Sequence, residues 1–259
     1  MEKPPSLSAD HTDNTLSRRR FLKLGLAAGL GIAAGLSTES CAPRKFSPRE
    51  TSEDGEQSKS NSIELDPDER QSIQESIQKL KKEFLLKDDA YAIVINPENQ
   101  TLYLVLNDEV VRRYIVSTAK AGIGSIDGSG MTPHGTHTIY AKLGENAEKG
   151  TIFHHKKNTG TVARIEKAAI HTKEYVTTRV LLLEGEEEGI NRGGSVDSRT
   201  RNIYIHGTPE EGLLGQPESH GCIRMNNDDV TELYSIIPEK TLVEIQNKQY
   251  RNTDRQEFA

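Results

Sequence analysis

The chemistry available to this chain concentrates in two short segments, Ile205-His206-Gly207-Thr208 and Ser219-His220-Gly221-Cys222-Ile223-Arg224-Met225. A cysteine attacks a carbonyl as the thiolate, so it needs a base for its proton, a partner to orient that base, and N–H donors for the oxyanion that forms. Cys222 supplies the sulfur. His206, sixteen residues upstream at the end of a strand candidate, is placed to reach a loop thiol. Gly221 lets the backbone approach closely and leaves its N–H, with that of Cys222, free to point at a substrate oxygen. His220 lies two residues before the thiol, and Arg224 would bind a carboxylate or depress the thiol pKa.

Three other arrangements compete with a thiol enzyme. A zinc site built from His206, His220 and Cys222 lacks a paired C-x-x-C or H-x-x-x-H. Two core histidines beside a buried thiol would need apolar surroundings, whereas Ser219, His220, Gly221 and Arg224 do not look like a core. A serine hydrolase on Ser219 lacks G-x-S-x-G. The thiol enzyme leads.

The rest of the chain limits the classes further. Its 259 residues allow one large domain or two small ones, and it carries 33 basic and 39 acidic residues for a net charge of −6. Apolar residues make up 34% and aromatic residues 5%, lean enough that part of the chain lies outside a packed core. A net acidic, aromatic-poor chain is a poor nucleic-acid binder, and no apolar run reaches the ~18 to 20 residues of a membrane span. With only Cys41 and Cys222 there is no disulfide framework.

The N-terminus reads as an address. Ser17-Arg18-Arg19-Arg20-Phe21-Leu22-Lys23 precedes a mild apolar run from Leu24 to Leu36 that holds four glycines. Basic flank, short apolar core and small residues make an export signal, and the paired arginines resemble the twin-arginine type. Residues 1–42 are expected to form that signal, taking the chain to the periplasm or cell envelope. Cys41 stands where a lipoprotein would be cut and lipidated, which leaves a membrane tether open. Once Cys41 is removed or lipidated, Cys222 has no intramolecular partner. A lone thiol in an oxidising compartment is a liability unless it is buried or used.

Residues 43–65 are polar and Ser-rich, a flexible spacer. Asp66-Pro67-Asp68-Glu69 has a cap residue, a proline at the first helical position and an acidic first turn. Ile73, Ile77, Leu80 and Phe84 follow at helical spacing, which predicts an amphipathic helix within 66–88 that docks on the domain. From Tyr91 the period becomes two. Strands are predicted at Tyr91–Ile95, around Leu102–Leu106, and at Val110–Ser117, Thr136–Ala141, Tyr175–Leu183, Asn202–His206 and Thr241–Gln246, with turns at Asn96–Asn99 and Asn107-Asp108. A second helix is predicted over Asn227–Ile236, capped by Asn226 or Asn227. Gly-rich Ala119–Met131 lacks the phosphate-cradle spacing and reads as a loop. Residues 142–201 hold long irregular stretches, and Glu184-Gly185-Glu186-Glu187-Glu188 within them reads as a solvated loop. The expected fold is mostly β with one or two peripheral helices, ending in a polar tail at 249–259.

The two chemistry-bearing segments closely resemble the active-site signature of the L,D-transpeptidases, the YkuD-like domain. Tyr91–Ser117 resembles that domain's opening strands. Thr132-Pro133-His134-Gly135-Thr136 resembles its T-P-x-G motif, and Asn191–Asp197 leading into Arg201–Ile205 resembles the region before the first histidine. The resemblance implies a YkuD-like β-sandwich or barrel-like catalytic domain over 89–248, acting on peptidoglycan stem peptides with no metal or organic cofactor. It implies that Cys222 attacks the carbonyl before the terminal D-Ala of a stem tetrapeptide, with His206 as general base and acid. The Gly207 backbone would orient the imidazole, and the N–H groups around Gly221 and Cys222 would hold the oxyanion. Ser219 belongs to the same signature, His220 would shape the pocket, and Arg224 would contact the donor peptide or brace the loop. Attack on the thioester by a side-chain amine would give a 3–3 cross-link, and attack by water a carboxypeptidase. A non-catalytic peptidoglycan-binding module would keep the motif only as a cleft. A recess under the 142–201 loops would keep the thiol reduced.

Overall fold

Local sequence sets the ends of both helices. The computed structural model describes residues 63–171 and 173–248; the expected export signal with Cys41, the spacer through residue 62 and the tail at 249–259 lie outside them. Helix α1 (Pro67–Phe84) starts where Asp66 accepts the Glu69 N–H at 2.8 Å, and it ends at Leu85, whose φ of 56° is left-handed. Helix α2 (Asn227–Ile236) starts at Asn226, whose side chain accepts from the N–H groups of Asp228 and Asp229.

Ten strands follow α1: β1 (Ala92–Asn96), β2 (Thr101–Leu106), β3 (Glu109–Ser117), β4 (Gly135–Leu143), β5 (Thr151–His154), β6 (Lys157–Val162), β7 (Val176–Gly185), β8 (Tyr204–Gly207), β9 (Ile223–Met225) and β10 (Leu242–Ile245). The order β4-β10-β1-β2-β3-β9-β8-β7 closes on itself because β4 also pairs with β7. The result is an eight-stranded, barrel-like ring, with β5 and β6 added at β7 as a hairpin. This is the expected mostly-β, barrel-like domain with two helices. The β2–β3 turn is the expected Asn107-Asp108, with both residues at positive φ.

Two layers of apolar side chains come from the period of two. Ile93 and Ile95 of β1 and Leu102 and Leu104 of β2 point into the barrel, where Ile205, Ile223, Met225 and the α2 residues Val230 and Leu233 meet them. Their neighbours Ala92, Val94, Tyr103 and Val105 point outward and are covered by Ile73, Ile77 and Leu80 of α1. The apolar stripe of α1 therefore docks on the domain. Among the described residues, no helix is long and apolar enough to cross a membrane.

The sequence reading missed three strands. β6 (Lys-Asn-Thr-Gly-Thr-Val) is exposed throughout, so no alternation marks it, and β5 and β9 are four and three residues long. The acidic run is also more than a solvated loop. Glu184 and Gly185 end β7, and Glu187 accepts from the Thr136 N–H at 2.5 Å and pairs with Lys79 at 2.8 Å. Burial opposes the Glu187 charge, but those two partners hold its carboxyl below the ordinary range. His137 on β4 is fully buried, with Nδ1 at 2.9 Å from the Gly135 carbonyl and Nε2 at 2.9 Å from Ser198 Oγ. Burial lowers its pKa to about 4.

Two stability measurements follow. Leu80 is completely buried, so Leu80→Ala should cost about 2–5 kcal/mol in urea unfolding; a loss below 1 kcal/mol would mean that α1 is not docked as described. His137 is neutral when folded and titrates near pH 6.5 when unfolded, so below pH 6.5 the unfolded state binds a proton that the folded state refuses. Stability should fall from pH 7.5 to 5, with His137 contributing about 2 kcal/mol of the loss, and His137→Asn should flatten the slope by nearly one proton. An unchanged slope in that variant would contradict the burial assigned to this ring.

Candidate active site

Strands β8 and β9 run parallel, with Ile205 opposite Ile223, His206 opposite Arg224 and Gly207 opposite Met225. Alternation sends Ile205, Ile223 and Met225 into the core, and His206 and Arg224 to the opposite side. Cys222 stands immediately before β9, two residues from Arg224. The pairing puts His206 on one strand and Cys222 at the head of its neighbour.

His206 is buried, and its Nδ1 lies 2.8 Å from the Gly207 carbonyl oxygen. A carbonyl only accepts, so Nδ1 carries the ring proton and Nε2 keeps its lone pair. Burial, with a smaller push from the Arg224 charge, lowers this histidine to about 4 against the pull of the Gly207 hydrogen bond. The imidazole is therefore neutral at physiological pH. Gly207 has no room for a side chain: a Cβ there would lie 2.5 Å from Asn227 Oδ1 and 2.9 Å from the Thr177 carbonyl.

Cys222 is partly exposed, and its thiol donates to the Asn202 carbonyl at 3.4 Å. Desolvation in this crowded corner pushes the thiol up to about 11, and Glu174 adds to the push. The Tyr204 N–H and the guanidinium groups of Arg224 and Arg201 oppose it. Thiol and imidazole are therefore both neutral at rest.

Arg224 is buried between two carboxylates, Glu210 at 2.9 Å and Glu174 at 2.8 Å. It binds carboxylates of its own chain, and its charge does lower the thiol pKa as expected, although burial outweighs it and leaves the net shift upward. The second oxygen of Glu174 bonds Nδ1 of the exposed His220. Desolvation works against the Glu174 charge, yet Arg224 and His220 together hold its carboxyl below the usual range. Glu174 thereby straps the segment before β7 across β9. His220 faces Glu174, and among the described residues no group of three His, Cys, Asp or Glu side chains comes together as metal ligands.

Buried Ser219 braces the turn: its hydroxyl donates to the Cys222 carbonyl at 2.5 Å and accepts from the Gly221 N–H at 3.2 Å. The Gly221 N–H is thus engaged inside the turn, where the sequence predicted it free. Gly221 itself has φ +132°, in the region that favours glycine.

Sequence reasoning passed over three residues. Glu174 lies in a stretch without periodicity. Arg201 donates to the Gly124 and Met131 carbonyls. Asn227, read as a helix cap, is fully buried and accepts from Thr177 Oγ1 at 2.8 Å while donating to the Thr208 carbonyl and to Glu211, both at 2.7 Å. It ties β7, the end of β8 and α2 together. A cavity of about 230 Å³ adjoins the site, sharing Asn202 and Tyr204 with it and walled by Phe153, His154, His155 and Lys156 of the β5–β6 hairpin.

The YkuD family, the L,D-transpeptidase catalytic domain, matches residues 90–245. YqjB of Bacillus subtilis strain 168, named as a candidate L,D-transpeptidase, is 31% identical over 159 residues, 61% of this chain and 72% of YqjB. The candidate L,D-transpeptidase YkuD of Bacillus licheniformis is 54% identical over 41 residues, 16% of this chain and 25% of that protein. Among solved structures, an L,D-transpeptidase from Mycobacterium smegmatis is 20% identical with a TM-score of 0.37, over 61% of this chain and 58% of that one. L,D-transpeptidase 3 from Mycobacterium tuberculosis is 14% identical with a TM-score of 0.38, over 61% of each chain. This chain covers less than two thirds of the length of both solved chains. With more than half of its residues matched to the family, the chain belongs to the YkuD family of L,D-transpeptidase catalytic domains.

Proposed function

We propose that this protein is a cysteine-dependent peptidoglycan L,D-transpeptidase. One observation carries the reading: the imidazole of His206 is locked by the Gly207 carbonyl with Nε2 unprotonated, on the strand paired with the one that Cys222 leads into, in a chain of this family. The acyl donor is a stem tetrapeptide. Nε2 of His206 takes the thiol proton, and the sulfur electron pair attacks the carbonyl carbon between the third residue and the terminal D-Ala. The N–H of Cys222 is the nearest candidate donor to the oxyanion, since that of Gly221 is engaged with Ser219. As the tetrahedral intermediate collapses, the C–N bond breaks, the imidazolium returns its proton to the D-Ala nitrogen, and a thioester remains on Cys222.

An amine from a second stem then attacks the thioester. His206 takes a proton from that amine and passes it to the departing sulfur, closing the cycle with a 3–3 cross-link. Ser219 keeps the turn rigid, while Glu174, Glu210 and Arg224 fix the floor beside the sulfur. The substrate lies outside the cytoplasm, in keeping with the export signal read at residues 1–42 and with a tether at Cys41.

The test is intact-mass spectrometry of the full chain, with Cys41→Ser so that Cys222 is the single thiol, mixed with a stem tetrapeptide. The expected result is a mass gain equal to the peptide minus D-Ala. It should be absent in Cys222→Ala and formed about 10²- to 10⁴-fold more slowly in His206→Gln. Folded, reduced protein that gives neither adduct nor free D-Ala would overturn the reading.

A further inference from the structure

Two arginines act on the Cys222 sulfur, and their charges are engaged differently. Arg224 lies between the carboxylates of Glu174 and Glu210, so its charge is already balanced by its own chain. Arg201, in the turn that leads into β8, donates to two neutral acceptors, the Gly124 carbonyl at 3.4 Å and the Met131 carbonyl at 2.6 Å. Both acceptors belong to the Gly-rich loop, whose first residue, Ala119, bridges to Ser219 at the start of the cysteine turn.

The same Met131 carbonyl stands 3.4 Å from the place a Cβ on Gly221 would take, so the loop rests against the residue before the thiol. The residue after Arg201, Asn202, offers the carbonyl that accepts the thiol hydrogen at 3.4 Å. Arg201 thus closes a small circuit of loop, turn and sulfur. Burial disfavours its charge, while the Asp127 carboxylate and, once it ionises, the Cys222 thiolate favour it. A guanidinium does not shed its proton, so a desolvated one held by neutral carbonyls is stabilised by an anion forming beside it. The other groups that act on the sulfur are the Tyr204 N–H from β8, Arg224 from β9 and Glu174 from the segment before β7. Of these, only Arg224 is a permanent cation.

We propose that Arg201 is the counter-charge of the Cys222 thiolate: held by the Gly124 and Met131 carbonyls beside Gly221, its guanidinium carries the positive charge against which the sulfur becomes anionic. The proposal rests on reading Cys222 as the nucleophile. Arg201 transfers no proton. The thiol proton goes to Nε2 of His206, and the electron pair stays on sulfur until it forms the bond to carbon.

The test is the pH dependence of Cys222 alkylation by iodoacetamide, in the full chain with Cys41→Ser. Sulfur displaces iodide in this reaction, so the rate follows the thiolate fraction without any peptide. Arg201→Gln and Arg201→Met remove the charge, and the Gln variant keeps a donor for the two carbonyls. Both should raise the midpoint by about one pH unit or more, slowing alkylation about tenfold at a fixed pH below it. Arg201→Lys should stay close to the parent.

An unshifted midpoint in the neutral variants would overturn the proposal. So would a Lys variant shifted as far as Gln, or failure of both neutral variants to fold, because each of these makes bracing the loop the role of Arg201. The readout is separate from acyl transfer. A charge-dependent midpoint in a protein that forms no acyl-enzyme would sink the transpeptidase reading and leave the counter-charge intact.

Discussion

The parallel pairing of β8 with β9 is the constraint on which the site depends. It sets His206 opposite Arg224 and puts Cys222 at the head of the neighbouring strand, sixteen residues on from the histidine in sequence. Parallel neighbours require a crossover, and the connection between these two strands carries Glu210, Ser219 and Gly221, each bonded within the site. Because Ile205, Ile223 and Met225 are anchored in the core, a one-residue slip of either strand would send its site residues inward and its core residues outward. Asn227 secures the same pairing from α2, and Gly207 is small because the Asn227 amide oxygen occupies the space beside it.

Burial then decides the charge state. The histidine is pushed down and the thiol up, both chiefly by desolvation, so neither member of the pair is ionised at rest. Two of the nearby charges are balanced within the site, Arg224 by Glu174 and Glu210 and Glu174 in turn by Arg224 and His220, while Arg201 is held by neutral carbonyls. A site of this kind holds its sulfur protonated until a substrate arrives. Such a thiol is spared oxidation while it waits, since the thiolate is the reactive form.

How much of this was legible in the sequence follows from the range of each interaction. The caps at Asp66 and Asn226, the Asn107-Asp108 turn and the alternation of Ile93, Ile95, Leu102 and Leu104 are local, and each is found where its residues place it. Cys222 and His206 stood out because each residue type has few uses in such company. Glu174 was not legible, since its role depends on a segment folding back over β9 to reach Arg224, 50 residues further along the chain, with no periodicity to mark it. Nor was the use of the Gly221 N–H, which turns on where the Ser219 hydroxyl points. The β5–β6 hairpin stayed hidden because an exposed two-stranded extension buries too little to leave a pattern.

The central claim is that the resting pair is neutral, with the His206 proton on Nδ1. Nitrogen NMR of the full chain at pH 7, with ¹⁵N-labelled histidine rings and the His206 signals assigned by loss in His206→Gln, reads this directly. The account predicts a protonated Nδ1 and a bare Nε2, unchanged in Cys222→Ala because no thiolate sits opposite. Two protonated nitrogens that become one in Cys222→Ala would reveal a thiolate–imidazolium ion pair at rest and contradict it.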